Sequence, residues 1–184
     1  MIMTVAELRR YVETEEDDKI LEARLQALEL LIRAHTNNPF QARAFRSVAV
    51  ASAADNTLQV NGTVRFAAGD TLQITGSALM PDSLVTVESV DGNTVKVKED
   101  LYDETGVTIT KVKYPQDVKM GVVNLMKWEL ERRDKVGVSS ETISRHSVTY
   151  SNMDGDNSIM GFPKSLMGFL RPYKRARVGR GIGV

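Results

Sequence analysis

The chain has 184 residues, 24 basic and 24 acidic side chains, a formal net charge of zero and no cysteine. That length holds one good core, or one core plus a small inserted one. Balanced charge argues against a general nucleic-acid binder, and the missing thiols exclude disulfides and thiolate metal sites and fit a reducing compartment.

The first sixteen residues contain no apolar run of signal-peptide type, and no stretch of the chain is long and apolar enough to predict a membrane span. Thr4 to Val12 reads as a short helix. Thr4 and Glu7 have capping-box spacing, and Val5, Leu8 and Val12 share a face. Thr14 to Thr36 follows as a long helix free of Gly and Pro, with Thr14 as its expected N-cap. Arg33 and His35 occupy its last turn, and Asn37-Asn38-Pro39 stops it. As one helix it would run about 35 Å. Leu21, Leu25, Leu28 and Ile32 make one apolar stripe. Ile20, Ala23, Ala27, Leu30 and Leu31 widen it, which predicts a central post with neighbours on more than one side. The acidic run Glu13, Glu15, Glu16, Asp17 and Asp18 at the join reads first as a solvated helix start, where the dipole favours acids.

From Phe40 the period changes to two. Leu58 and Val60, Val64 and Phe66, Leu72 and Ile74, Val85 and Val87, Val95 and Val97, and Val107 and Ile109 are alternating apolar pairs. Asn61-Gly62, Gly69-Asp70, Gly76-Ser77 and Asp91-Gly92-Asn93 punctuate them as turns. The sequon-like Asn61-Gly62-Thr63 is read as a hairpin turn. Short strands separated by turns predict a small β-barrel or sandwich over 40–114, inserted between helices. Lys96, Lys98 and the lysines near its end belong to a solvated outer face.

Pro115 opens a second long helix, expected to reach Val136, with Val118, Val122, Leu125, Met126 and Leu130 on one face. The single Trp128 beside this stripe reads as a core or interface anchor. Ser144 to Tyr150 is polar yet β-prone, and Asn152 to Asn157 reads as a turn. So polar a hairpin is marginal alone and becomes sensible if its edge pairs with another subunit. From Gly161 onward the chain holds six basic residues (Lys164, Arg171, Lys174, Arg175, Arg177, Arg180) and no acid. Leu166, Phe169, Leu170 and Tyr173 sit at i, i+3, i+4 and i+7, the pattern of a short helix whose apolar face enters a groove, between Pro163 and Pro172.

The sequence assembles no catalytic constellation. His35 and His146 carry no motif context and read as structural or surface residues. Asn152, Asp154 and Asp156 have the spacing of the first calcium-loop ligands. The loop then fails, with Asn157 where Gly is required and Pro163 where Glu is required. Gly179-Arg180-Gly181-Ile182-Gly183 follows no strand and opens no helix, so it is not a phosphate loop. No catalytic residue, cofactor site or metal site is predicted.

Gly161-Phe162-Pro163-Lys164-Ser165-Leu166-Met167-Gly168-Phe169-Leu170-Arg171-Pro172-Tyr173, with the polar strand before it, resembles the carboxyl end of head-to-tail connector (adaptor) proteins of long-tailed bacteriophages. The resemblance covers Thr4 to about Thr36 and Pro115 to Arg177. With the β block read from its own period, the expected fold is α+β: a small α-helical bundle (1–39 and 115–160, with the polar hairpin), an inserted all-β barrel or sandwich domain (40–114), and an extended basic carboxyl-terminal tail (161–184), of which the resemblance implies the helical part and the tail. It implies a structural virion protein of the neck, assembled in the host cytoplasm, with no enzymatic activity and no membrane. Such adaptors form a ring, twelve-fold in familiar members, between the portal protein and a stopper or tail-completion protein. DNA passes through the lumen without specific binding during genome ejection. The tail residues carried over as portal-binding are Phe162, Pro163, Lys164, Leu166, Met167, Phe169, Leu170, Arg171, Tyr173, Lys174, Arg175 and Arg177. Arg145, His146, Val148, Tyr150 and Ile159 are expected at the interface between subunits. Glu13, Glu15, Glu16, Asp17 and Asp18 are expected to line the channel, where like charge keeps DNA sliding. Many relatives have only a short loop where this chain has its β block. The alternative reading is a nucleic-acid-binding module using the β domain and the basic tail.

Overall fold

The computed structural model describes residues 1–132, 140–143, 146–149 and 157–176. For 132, 140–143 and 146–149 the description is of backbone only. The chain divides into two compact units: Met1 with Pro39–Tyr114, and Ile2–Asn38 with the described residues from Pro115 on. The described chain is mixed α+β, and its largest sheet is a closed barrel.

The barrel has six antiparallel strands: β1 (Gln41–Ser52), β2 (Thr57–Asn61), β3 (Thr71–Thr75), β4 (Leu84–Asp91), β5 (Thr94–Val97) and β6 (Glu104–Val112). They close in the order β1-β2-β5-β4-β3-β6. Closure removes free sheet edges and leaves one small interior to fill. Alternation does the filling: Leu58, Val60, Leu72, Ile74, Val85, Val87, Val95, Val97, Val107 and Ile109 all point inward and are buried. In register, Leu58 opposes Val95, Leu72 opposes Val85 and Ile74 opposes Ile109.

Three features of the barrel differ from the sequence expectation. β1, the longest strand, carries no strong alternating pair, because its inward residues are Ala49 and Ala51. Val64 and Phe66 are not a strand. They lie in the connection after β2, and Phe66 drops from it into the core. Asp70 pins that connection, accepting from Ala67 N at 2.9 Å and pairing with Lys111 Nζ at 2.6 Å. Asn61-Gly62 is not a hairpin either, since β2 pairs with β1 and β5 and the chain crosses over to β3. The hairpin at Gly92-Asn93 does form, joining β4 and β5 with Asp91 opposite Thr94. The Glu104 carboxylate accepts from Ser77 Oγ and Ala78 N, bonds that hold its pKa below the ordinary carboxylate value.

In the other unit, α1 (Val5–Leu8) is capped by Thr4, whose Oγ1 accepts from Glu7 N at 3.1 Å. The Glu7 carboxylate does not return to the cap. It takes Lys119 Nζ at 3.1 Å instead. α2 (Asp18–Thr36) begins three residues later than Thr14 as N-cap would give, with Asp17 as N-cap accepting from Lys19 N at 2.8 Å. Arg9 explains the delay. Its guanidinium donates to the carbonyls of Thr14 and Glu16 at 2.7 and 2.8 Å and grips Asp18, holding 14–16 out of the helix. α2 buries Leu21, Leu25, Leu28 and Ile32, as its first stripe requires. The wider face stays open: Ile20 is 46% and Leu30 60% exposed, so α2 is not a post enclosed on several sides.

α3 (Gln116–Arg132) buries Val118, Gly121, Val122, Val123, Leu125 and Met126. β7 (Ser140–Ile143) and β8 (His146–Thr149) form an antiparallel pair. The polar strand therefore pairs backward, where the sequence reading looked forward across Asn152–Asn157. β9 (Ser158–Ile159) and β10 (Phe162–Pro163) make a second short ribbon. It leads into a 3-10 helix, Lys164–Tyr173.

Candidate functional site

The stretch singled out by its sequence, described from Gly161 to Ala176, is seated on the helices of its own unit. Pro172 has no amide hydrogen, and its ring opposes the α-helical ladder. The observed winding is the tighter one, with three residues per turn. Rows of side chains therefore repeat at i, i+3, i+6. Met167 and Leu170 are buried, and Tyr173 in the same row is half-buried. Leu166 and Phe169 form a half-buried row beside them. Ser165, Gly168, Arg171 and Lys174 form a fully exposed third row.

This corrects the expected apolar face. At helical spacing Leu166, Phe169, Leu170 and Tyr173 would have entered a groove on another protein. The groove is on the same chain, and the period that meets it is three. Gly121 in α3 is its floor: a Cβ built there would collide with the Phe169 ring. The Trp128 ring lies 5.4 Å from that of Phe162, which is buried. Tyr173 Oη donates to both carboxylate oxygens of Asp117 at 2.7 and 2.8 Å. That bond, with some desolvation and the Asp117 charge, raises the phenol above its ordinary pKa.

The end of the segment closes α2. Asn37 adopts the left-handed conformation that ends the helix, at φ 49°. The Arg175 amide donates to Thr36 O at 2.8 Å, and the Asn37 and Asn38 side-chain amides donate to the carbonyls of Ala176 and Tyr173 at 3.0 and 3.2 Å. The Thr36 carbonyl at the end of the helix and the backbone of Tyr173–Ala176 thus satisfy each other with the help of the two Asn side chains. His35 in the last turn has a lowered pKa, through partial burial and then the Lys174 charge.

The expected site residues fall as follows. Of the portal-binding set, Phe162, Met167 and Leu170 are buried, and Pro163, Leu166, Phe169 and Tyr173 are half-buried. Lys164, Arg171, Lys174 and Arg175 are exposed. Arg177 lies outside the described residues. Of the subunit-interface set, Arg145 and Tyr150 lie outside them, and for His146 and Val148 the description gives the backbone in β8. Ile159 opposes Phe162 in the β9–β10 ribbon and is half-buried. Of the channel set, Asp17 caps α2, Asp18 holds Arg9, and Glu16 pairs with Arg24 at 3.2 Å, leaving Glu13 and Glu15 as exposed carboxylates. Sequence reading missed Thr36, Asp117 and Gly121 as parts of the seat. Gly121 had a signal, being a lone glycine inside a helix.

Among the described residues no group of three or more His, Asp or Glu is placed to hold a metal, and no helix is long and apolar enough to cross a membrane. No family model matches the chain, and no curated protein does. Solved structures resemble part of it, two phage tailspikes among them. One is the tailspike protein gp49 from Pseudomonas phage LKA1, at 28% identity and a TM-score of 0.28, over 36% of this chain and 14% of that one. The other is the Gp54 tailspike of Acinetobacter baumannii bacteriophage AP22, solved in complex with A. baumannii capsular saccharide. It matches at 24% identity and a TM-score of 0.27, again over 36% of this chain and 14% of that one. The matched part of this chain therefore spans about a seventh of either tailspike.

Proposed function

We propose that this chain is a non-enzymatic structural protein of a phage neck, an adaptor ringed between the portal and the stopper or tail-completion protein. The observation that carries the reading is the tail: the segment Gly161–Tyr173 that resembles adaptor carboxyl ends is seated on its own unit, and its exposed row ends in Arg171 and Lys174. Buried Met167, Leu170 and Phe162 give that row its fixed orientation. Arg171 and Lys174 in that row, with exposed Lys164 and Arg175 at the two ends of the segment, are then the residues offered to an acidic surface on the portal. A preset basic row loses little conformational freedom on docking. A head-to-tail contact between copies, with two different patches on each, is what ring closure demands.

The test is binding to the assembled cognate portal. Removing Gly161–Val184 is a poor probe, because it would strip Phe162, Met167 and Leu170 from the chain's own core. Arg171→Glu with Lys174→Glu leaves that core alone. The reading expects the double variant to keep its fold by circular dichroism and to lose portal binding at least tenfold. Full-strength binding by the folded variant would remove the tail from the portal contact.

A further inference from the structure

The connections β1–β2 (53–56), β3–β4 (76–83) and β5–β6 (98–103) all lie at one end of the barrel, as its antiparallel strand order requires. Hydrogen bonds fasten this end. Asp103 accepts from Ala53 N at 2.8 Å, Asn56 Oδ1 accepts from Leu101 N at 3.1 Å, and Glu104 accepts from Ala78 N at 2.8 Å. Two large apolar side chains stand out from it, Leu79 at 58% and Tyr102 at 59% exposure. The three connections hold five carboxylates (Asp55, Asp82, Glu99, Asp100 and Asp103) against one ammonium, Lys98.

A patch of opposite sign stands on the side of the same barrel. β1 turns Arg46, Val48 and Val50 outward, at positions alternating with buried Ala49 and Ala51. Val48 is 44% and Val50 39% exposed. The Arg46 guanidinium is tied down along the sheet, donating to Thr110 Oγ1 at 3.0 Å and to Gln41 Oε1 at 3.1 Å. Arg43 is exposed in the irregular stretch before it. β1 holds no acid, and its neighbour β2 holds no charged residue at all.

Each patch has apolar side chains with charge around them, the anatomy of an interface, and the two signs are opposite. The end and the side of one closed sheet cannot meet each other, whereas those of two copies can. We propose that the acidic loop end of one barrel docks on the outer β1 face of the barrel in a second copy. Tyr102 and Leu79 then cover Val48 and Val50, and Asp55 and Asp100 lie toward Arg43 and Arg46. Like charge opposes the other arrangements, end on end and face on face. Two different patches make the contact head to tail, so each copy repeats it with the next. It stands on the barrel alone and not on the neck reading, and its failure leaves the portal experiment untouched.

The chain has no native cysteine, so introduced thiols report the contact. Full-length Val48→Cys and Tyr102→Cys chains, mixed under mild oxidant, are expected to form the mixed disulfide about tenfold faster than Val48→Cys with Ala67→Cys, a thiol at the other end of the barrel. Raising the ionic strength from ~0.1 to ~1 M cuts the screening length from ~10 to ~3 Å and should slow the reaction. Adding Arg43→Glu and Arg46→Glu to the Val48→Cys chain should bring the rate down to that of the control. Adding Asp55→Lys and Asp100→Lys to its Tyr102→Cys partner should then restore it, a rescue that misfolding would not give. Mixed linking no faster than the control would overturn the contact. So would charge-reversed partners that stay slow together while both keep their circular dichroism. Faster linking of Val48→Cys to itself than to Tyr102→Cys would overturn the head-to-tail arrangement.

Discussion

Gly121 shows how one missing side chain sets a position. The Phe169 ring occupies the volume a Cβ would need, and the residue sits in mid-helix, where glycine otherwise weakens the helix. Gly121→Ala gains helix propensity and forces the ring out. Overpacking of this kind costs about 1–3 kcal/mol, against roughly 1 kcal/mol gained from replacing glycine. The expected net result is a loss of stability in urea unfolding, smaller in the Phe169→Ala background because the ring is gone. His35 works through charge. Its pKa in the fold lies below its ordinary value, so the folded state binds its proton less readily than the unfolded chain does. The stability it contributes is present above about pH 6.5 and is lost as pH falls through the lowered value. His35→Gln should flatten that part of the pH–stability curve. An unchanged slope would place the titration elsewhere.

At the scale of elements, legibility followed side-chain size and period. Strands whose inward residues are Leu, Ile and Val announced themselves by alternation. β1 did not, because Ala49 and Ala51 are small where the other five strands crowd inward with branched chains. That smallness is a packing requirement. Ala49→Leu is expected to destabilise the barrel by about 1–3 kcal/mol through overpacking, read as a lower denaturant midpoint. α2 was legible on its buried stripe and misleading on its open one, since composition records apolarity and not which face finds a neighbour. The start of α2 was misplaced because Arg9, nine residues from Asp18, holds the intervening carbonyls. The tail helix was found and its phase was not. Spacing was counted at 3.6 residues per turn, while the segment winds at three.

The molecule as a whole is two units drawn from one interrupted sequence. The β insertion was legible because its period differs from that of its flanks. The seat of the tail was not, because the bond between Asn37 and Ala176 joins positions 139 apart and no local pattern records it. The barrel's strands pair only with one another, and its interior is filled by its own side chains. Residues 39–114 expressed alone are therefore expected to give a dispersed amide spectrum and a cooperative thermal transition. A spectrum of an unfolded chain would mean that the closed sheet needs the helical unit to form.

The three-residue winding at the end of the chain has a consequence for how that end tolerates change in length. Each residue advances the spiral by a third of a circle. A single deletion between Pro163 and Met167 would rotate Met167 and Leu170 out of their buried row and turn another row inward. Loss of three residues would restore the orientation and shorten the reach by one turn, roughly 6 Å. Length there is counted in steps of three, and variants spaced by that step are the ones that keep the positive row facing the same way.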